Sequence, residues 1–195
     1  MEKAHRSKLV ARVSVLVALS VMADLFPLPR VFFGMKVDLV GTVWVTAFLL
    51  YGLETAVYTS LGTFVLMSAY GPTGFVGASM KLIATAPMFL VPWIFERGYG
   101  YARGRSGIGT GLYGLASASA VVIRVVLAFA LNYYWAIPVF LGMPISEVLS
   151  KFFGGSVVYL FFYVAGLNIV QGVLDSVIPW LLVFKFRLKK LALAI

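Results

Sequence analysis

The sequence predicts an all-α membrane protein, a compact bundle of six transmembrane helices with both termini in the cytoplasm. Three observations predict it. Of the 195 residues, 62% are hydrophobic and only 12% charged, and the mean hydropathy is +0.99, whereas a soluble domain carries about a quarter charged residues. Apolar runs approaching ~20 residues, the length that crosses a ~30 Å hydrocarbon core, recur along the whole chain. The basic residues behind the net charge of +9 sit in short clusters between those runs. Lipid-flanking anchors are placed that way, and a nucleic-acid-binding stripe is not.

The first span covers residues 9–26. It has the length of a signal peptide, but no small-x-small cleavage site follows, only Asp24, Pro27, Pro29 and Arg30, so it reads as a retained helix. A loop through Arg30, Phe33 and Lys36 leads to the second and third spans, 39–53 and 55–69. At about 15 residues each they do not cross ~30 Å comfortably, and they read as a hairpin sheltered by neighbours or as tilted helices in a thinned bilayer. Tyr70-Gly-Pro-Thr-Gly74 is a turn signal. The fourth span is 76–95, followed by a Gly/Arg-rich loop over 96–111, and the fifth is 112–137, ending at Pro138. A loop holding Gly142, Pro144, Glu147, Lys151 and Gly154-Gly155 precedes the sixth, 157–186. No internal repeat or separate soluble segment is visible, so residues 1–195 form one domain.

Six spans put both termini on one side, and the basic residues say which. With a cytoplasmic N-terminus the inner segments carry Lys3, Arg6, Lys8, Arg12, Arg97, Arg103, Arg105, Lys185, Arg187, Lys189 and Lys190, against Arg30, Lys36 and Lys151 outside. Eleven against three is a strong positive-inside bias. The loops at 27–38, 70–75 and 138–156 then face outward.

Polar groups inside a membrane are costly, so each is a functional candidate. Asn132 lies near the outer end of the fifth span, with Asn168 and Gln171 in the outer half of the sixth. The latter two are three apart and share a helical face. Three carboxamides suit a planar, amide-rich ligand better than a bare ion, and they also suit interhelical hydrogen bonding. Arg124 and Asp175 sit at similar depth in the fifth and sixth spans, about 12 and 10.5 Å inward of Asn132 and Asn168. They read as a structural ion pair or as a relay. Lys81 can snorkel outward or meet a ligand carbonyl or anion. Lys36 and Asp38 open the second span, Asp38 as an N-cap or as part of a site. Tyr133, Tyr134 and Trp135 are an interfacial belt or a stacking wall. Ala11, Ser14 and Ala18 form a small-residue strip on the first helix, where another helix can approach closely. The only histidine is His5 and there is no cysteine, so the chain offers no acid–base, thiol or metal constellation and is not read as an enzyme.

The order of several motifs is specific. Phe26-Pro-Leu-Pro29 precedes Met35-Lys-Val-Asp38, Gly74-Phe-Val-Gly77-Ala-Ser-Met80 opens the fourth span, Asn132-Tyr-Tyr-Trp-Ala-Ile-Pro138 closes the fifth, and Gly166-Leu-Asn168-Ile-Val-Gln171-Gly lies in the sixth. Over most of its length the chain resembles the riboflavin-binding S component of energy-coupling-factor (ECF) transporters. The resemblance implies riboflavin as transported ligand with no cofactor, and Asn132 and Asn168 bonding the flavin ring. It further implies outer loops capping the site, and Gln171, Lys81, Lys36 and Asp38 complete the expected set of ligand-binding residues. Two departures bear on the vitamin. The family's lysine three residues after the sixth-helix asparagine is Gln171, and its polar stretch after the second helix is replaced by Thr59-Ser-Leu-Gly-Thr63. An S component for pantothenate, thiamin or folate, or a membrane protein whose polar residues only join helices, are the alternatives. The resemblance also gives Ala11, Ser14 and Ala18 a partner: a membrane coupling subunit driven by two cytoplasmic ATPases.

Overall fold

The computed structural model describes residues 2–26, 35–103 and 108–188. All the elements described are helical. Helix α1 (Glu2–Leu25) is followed by α2 (Val40–Tyr51) and α3 (Leu53–Tyr70). Next come α4 (Gly74–Thr85), α5 (Pro87–Arg103) and α6 (Thr110–Leu131). A π-helical turn, Asn132–Ala136, joins α6 to the short α7 (Ile137–Leu141). Then α8 (Ile145–Phe152) leads to α9 (Val157–Trp180), which ends in a second π-helical turn, Leu181–Lys185. Residue 27–34 expectations, including those at Pro27, Pro29, Arg30 and Phe33, lie outside the described residues, as does Arg105.

The radial pattern is that of a protein whose solvent is lipid. Large apolar side chains point outward from every long helix: Met22 at 67% exposure, Val65 at 62%, Val122 at 64% and Phe162 at 67%. Inside lie Asp24, Thr59, Thr63, Arg124, Asn168 and Asp175. In water that arrangement would expose far too much apolar surface; in a bilayer it lowers the free energy on both counts. Among the described residues, three helical stretches are long and apolar enough to cross a membrane: Gly74–Tyr99, Thr110–Leu141 and Val157–Lys185. Helix α2, with 12 residues, reaches only about 18 Å at ~1.5 Å per residue. It survives by being enclosed. Val40, Trp44, Val45, Ala47 and Phe48 are all buried, packed with Met88 and Phe89 of α5 and Ala120 of α6.

Three sequence expectations are adjusted. The fourth span is two helices, α4 and α5, meeting at Ala86, because Pro87 has no N–H to continue the ladder and starts a new helix instead. The fifth span does not end at Pro138 but continues to Leu141. The intervening π-helical turn shifts the hydrogen-bond register, with Ile137 N–H bonding Asn132 O, and such a shift skips one carbonyl where the proline donor is missing. The loop after it contains α8, an amphipathic helix that buries Val148 and Leu149 over Ile137, Leu160 and Val164. The α2–α3 break falls at Gly52, whose φ of +91° suits glycine and few other residues.

Candidate functional site

A cavity of about 130 Å³ opens where the start of α2, α4, the α3–α4 turn, the C-terminal end of α6 and the middle of α9 converge. Helix α6 supplies Arg124 and Ala128, and the π-helical turn that continues it supplies Asn132 and Ala136, a four-residue repeat that keeps one face toward the space. Helix α4 adds Lys81 among the small residues Gly77, Ala78 and Ala84. Helix α9 adds Asn168 and Gln171, and Lys36 and Asp38 enter from the segment before α2. The apolar part of the wall includes Met35, Met67 and Met80. All six residues expected at a ligand site therefore line the same cavity.

Their side chains are unequally committed. Gln171 is wholly engaged by protein. Its Oε1 accepts the Asp38 N–H at 2.9 Å, and its Nε2 donates to Asp38 O at 2.8 Å and to Asp175 Oδ1 at 2.9 Å. The carboxamide thus ties the backbone before α2 to α9 much as a strand partner would. Asp38 Oδ1 accepts the Val40 N–H at 2.9 Å, capping α2, and meets Lys81 Nζ at 2.5 Å. Asn168 donates from Nδ2 to Val164 O in its own helix and accepts the Arg124 Nε–H at 3.2 Å. Asn132 uses only its Nδ2, on Ala128 O at 2.8 Å; its Oδ1 has no hydrogen-bond partner among the described residues.

In the cavity wall, Arg124 Nη1 lies 2.9 Å from Asp175 Oδ2. Asp175, fully buried, also accepts from Gln171 and, at 3.3 Å, from the Thr42 hydroxyl. A buried carboxylate needs such a set of donors to offset its desolvation. Gly41 makes the geometry possible: a Cβ there would lie 2.3 Å from Asp175 Oδ2. At the other edge, Lys36 Nζ meets Asp24 Oδ1 at 2.6 Å and bonds the Asp24 carbonyl, while the Tyr70 hydroxyl donates to Asp24 Oδ2 at 3.0 Å.

Tyr133, Tyr134 and Trp135 do not line the cavity; Tyr134 is 81% exposed, as an interfacial anchor is. Ala11, Ser14 and Ala18 lie on an exposed face of α1, away from the cavity. Sequence reasoning passed over Asp24, Thr85, Gly41 and Tyr70. The Asp24 carboxylate, twelve residues before Lys36, was the one readable signal among them. It read Arg124 as half of an ion pair or a relay and not as a residue at the ligand site, although Arg124 lines the cavity.

No protein-family model and no curated protein matches this chain. Among solved structures, one described as "Structure and mechanism of the S component of a bacterial ECF transporter" superposes with a TM-score of 0.69. The identity is 18%, over 95% of this chain and 98% of that one. At that identity the likeness establishes a shared fold.

Proposed function

We propose that this chain is the substrate-binding S component of an ECF-type importer and that its ligand is riboflavin. On this reading it spans the membrane six times, with α4–α5, α6–α7 and α9 as the long crossings and both termini cytoplasmic. It captures the vitamin from outside and delivers it inward with a membrane coupling subunit and two cytoplasmic ATPases. The observation that carries the reading is that Asn132, Asn168, Gln171, Lys81, Lys36 and Asp38 line one cavity in a bundle with the fold of an S component.

The wall chemistry favours a flat ring. Six alanine-sized or smaller positions give smooth contact, and methionine sulfur is attracted to aromatic edges. Carboxamide groups fix a hydrogen-bonding edge, the usual division of labour in small-ligand sites. The open volume of about 130 Å³ is below the roughly 300–1,000 Å³ of such sites, so a tricyclic ligand seats only as the unbranched Met35, Met67 and Met80 side chains give way. Three cations at the site favour, as a second reading, a vitamin bearing a carboxylate, such as pantothenate or folate. Each of those cations already faces an aspartate, which ranks this second.

Purified protein should carry a flavin absorption band or acquire one with added riboflavin. Riboflavin, alone in a vitamin panel, should raise the melting temperature, because ligand at 100 times Kd adds about 2.7 kcal/mol to stability. Stabilisation by another vitamin instead would reassign the ligand; stabilisation by none would remove the solute-binding reading altogether.

A further inference from the structure

Arg124 is 3% exposed, yet the bundle does not use all of its donors. Nε donates to Asn168 Oδ1, and Nη1 donates to Thr85 Oγ1 and Asp175 Oδ2. Nη2 has no hydrogen-bond partner among the described residues. It is also absent from the sealed, unsatisfied polar atoms of the interior, and Arg124 lines the cavity. The guanidinium is a rigid planar fork. With Nε and Nη1 fixed by three oxygens, the position of Nη2 is fixed too: it is a pre-oriented, charge-assisted donor at the inner end of the cavity. Asp175 balances the net charge, so the donor does not demand an anion; a carbonyl oxygen suffices.

The geometry points to Arg124 as a ligand-contacting residue that takes a carbonyl oxygen of the bound molecule at the cavity floor, beside Asn168. The unused Asn132 acceptor sits eight residues further along the same helix, about 12 Å along its axis. A ligand meeting both is therefore elongated, with an acceptor at its inner end and a donor toward its outer end. Riboflavin fits that class with its pyrimidine carbonyl edge inward and a ribityl hydroxyl as the outer donor, which puts Asn132 on the side chain and not on the ring as the resemblance implied. The assignment rests on the cavity being the vitamin site.

The experiment compares wild type with Arg124→Lys, which keeps a cation opposite Asp175 but loses the fork. Melting temperature without ligand is measured, with affinity for riboflavin and for its 2-thio and 4-thio analogues, whose sulfur is a weak acceptor. Arg124→Lys should lower riboflavin affinity at least about tenfold, as loss of a charge-assisted bond does, and should cost distinctly less against the one thio analogue that replaces the contacted oxygen. Equal losses for all three flavins, or unchanged affinity, overturns the contact and leaves Arg124 as scaffold. Should Arg124→Lys fail to fold, the neutral pair Arg124→Gln with Asp175→Asn carries the same comparison. If wild type binds a different vitamin, the riboflavin reading falls. The Arg124 substitution is then read on that vitamin, a loss sustaining the contact and no change overturning it. A wild type that binds no vitamin overturns both.

Discussion

Gln171 and Asn132 are the same kind of group in the same cavity, and the hydrogen bonds each already makes predict opposite phenotypes. Gln171 holds both backbone groups of Asp38 and one oxygen of Asp175. Its replacement by alanine removes three bonds at about 0.5–1.5 kcal/mol each. Gln171→Ala should therefore unfold about 2–4 kcal/mol more easily in detergent, even without ligand. Asn132 makes one bond, to its own helix, and its oxygen has no hydrogen-bond partner among the described residues. Asn132→Ala should leave the unliganded protein near wild-type stability while weakening vitamin binding by about 1–3 kcal/mol, the cost of an unpaired buried ligand group. Melting curves and binding isotherms for both variants check this. If Asn132→Ala lost stability and kept affinity, Asn132 would be scaffold. Sequence reasoning found both residues because amides are conspicuous in apolar helices. It had no means of telling them apart, since the partner that commits Gln171 lies 133 residues away.

Among the elements, α2 shows most clearly what periodicity can and cannot reveal. Its brevity was legible, and so was its need for shelter. The reason it can lie so close to α9 was not, because Gly41 is one of 19 glycines and nothing local marks it. A methyl group there would displace the Asp175 carboxylate, and with it Arg124, Thr42 and Gln171. Gly41→Ala should thus cost at least the ~1–3 kcal/mol of ordinary overpacking, read as a lower melting temperature, with ligand affinity falling as well. An unchanged melting temperature would mean that α2 slides away at no cost. The same carboxylate makes a simple exchange of Arg124 and Asp175 a poor test of their pairing, since an arginine at 175 has no room beside α2. Pro138 misled in the opposite direction: it ordinarily ends a helix, but the π-helical turn before it absorbs the missing donor. The amphipathic α8 was hidden by Gly142, Pro144 and Gly154-Gly155, which bracket eight residues with turn signals.

For the whole molecule, composition made the bilayer and the helical class legible, because lipid permits so few ways to satisfy a backbone. Orientation rests on the basic clusters, and the cysteine-free chain allows a direct reading. Lys8→Cys should react with an impermeant thiol reagent only from the cytoplasmic side, and Glu147→Cys only from outside; the reverse pattern would invert the topology. The exposed strip on α1 then faces the question of what it touches. Ala11, Ser14 and Ala18 lie on an exposed face, so a bulky side chain there meets lipid in the isolated protein and costs it little. In a complex with a coupling subunit the same side chain would hold two helices apart, where close approach is what small residues provide. Ala18→Trp should accordingly bind vitamin like wild type but fail to support uptake when reconstituted with the coupling subunit and ATPases. Full uptake by Ala18→Trp would move the coupling contact off this face, and lost binding would show that α1 shapes the cavity instead.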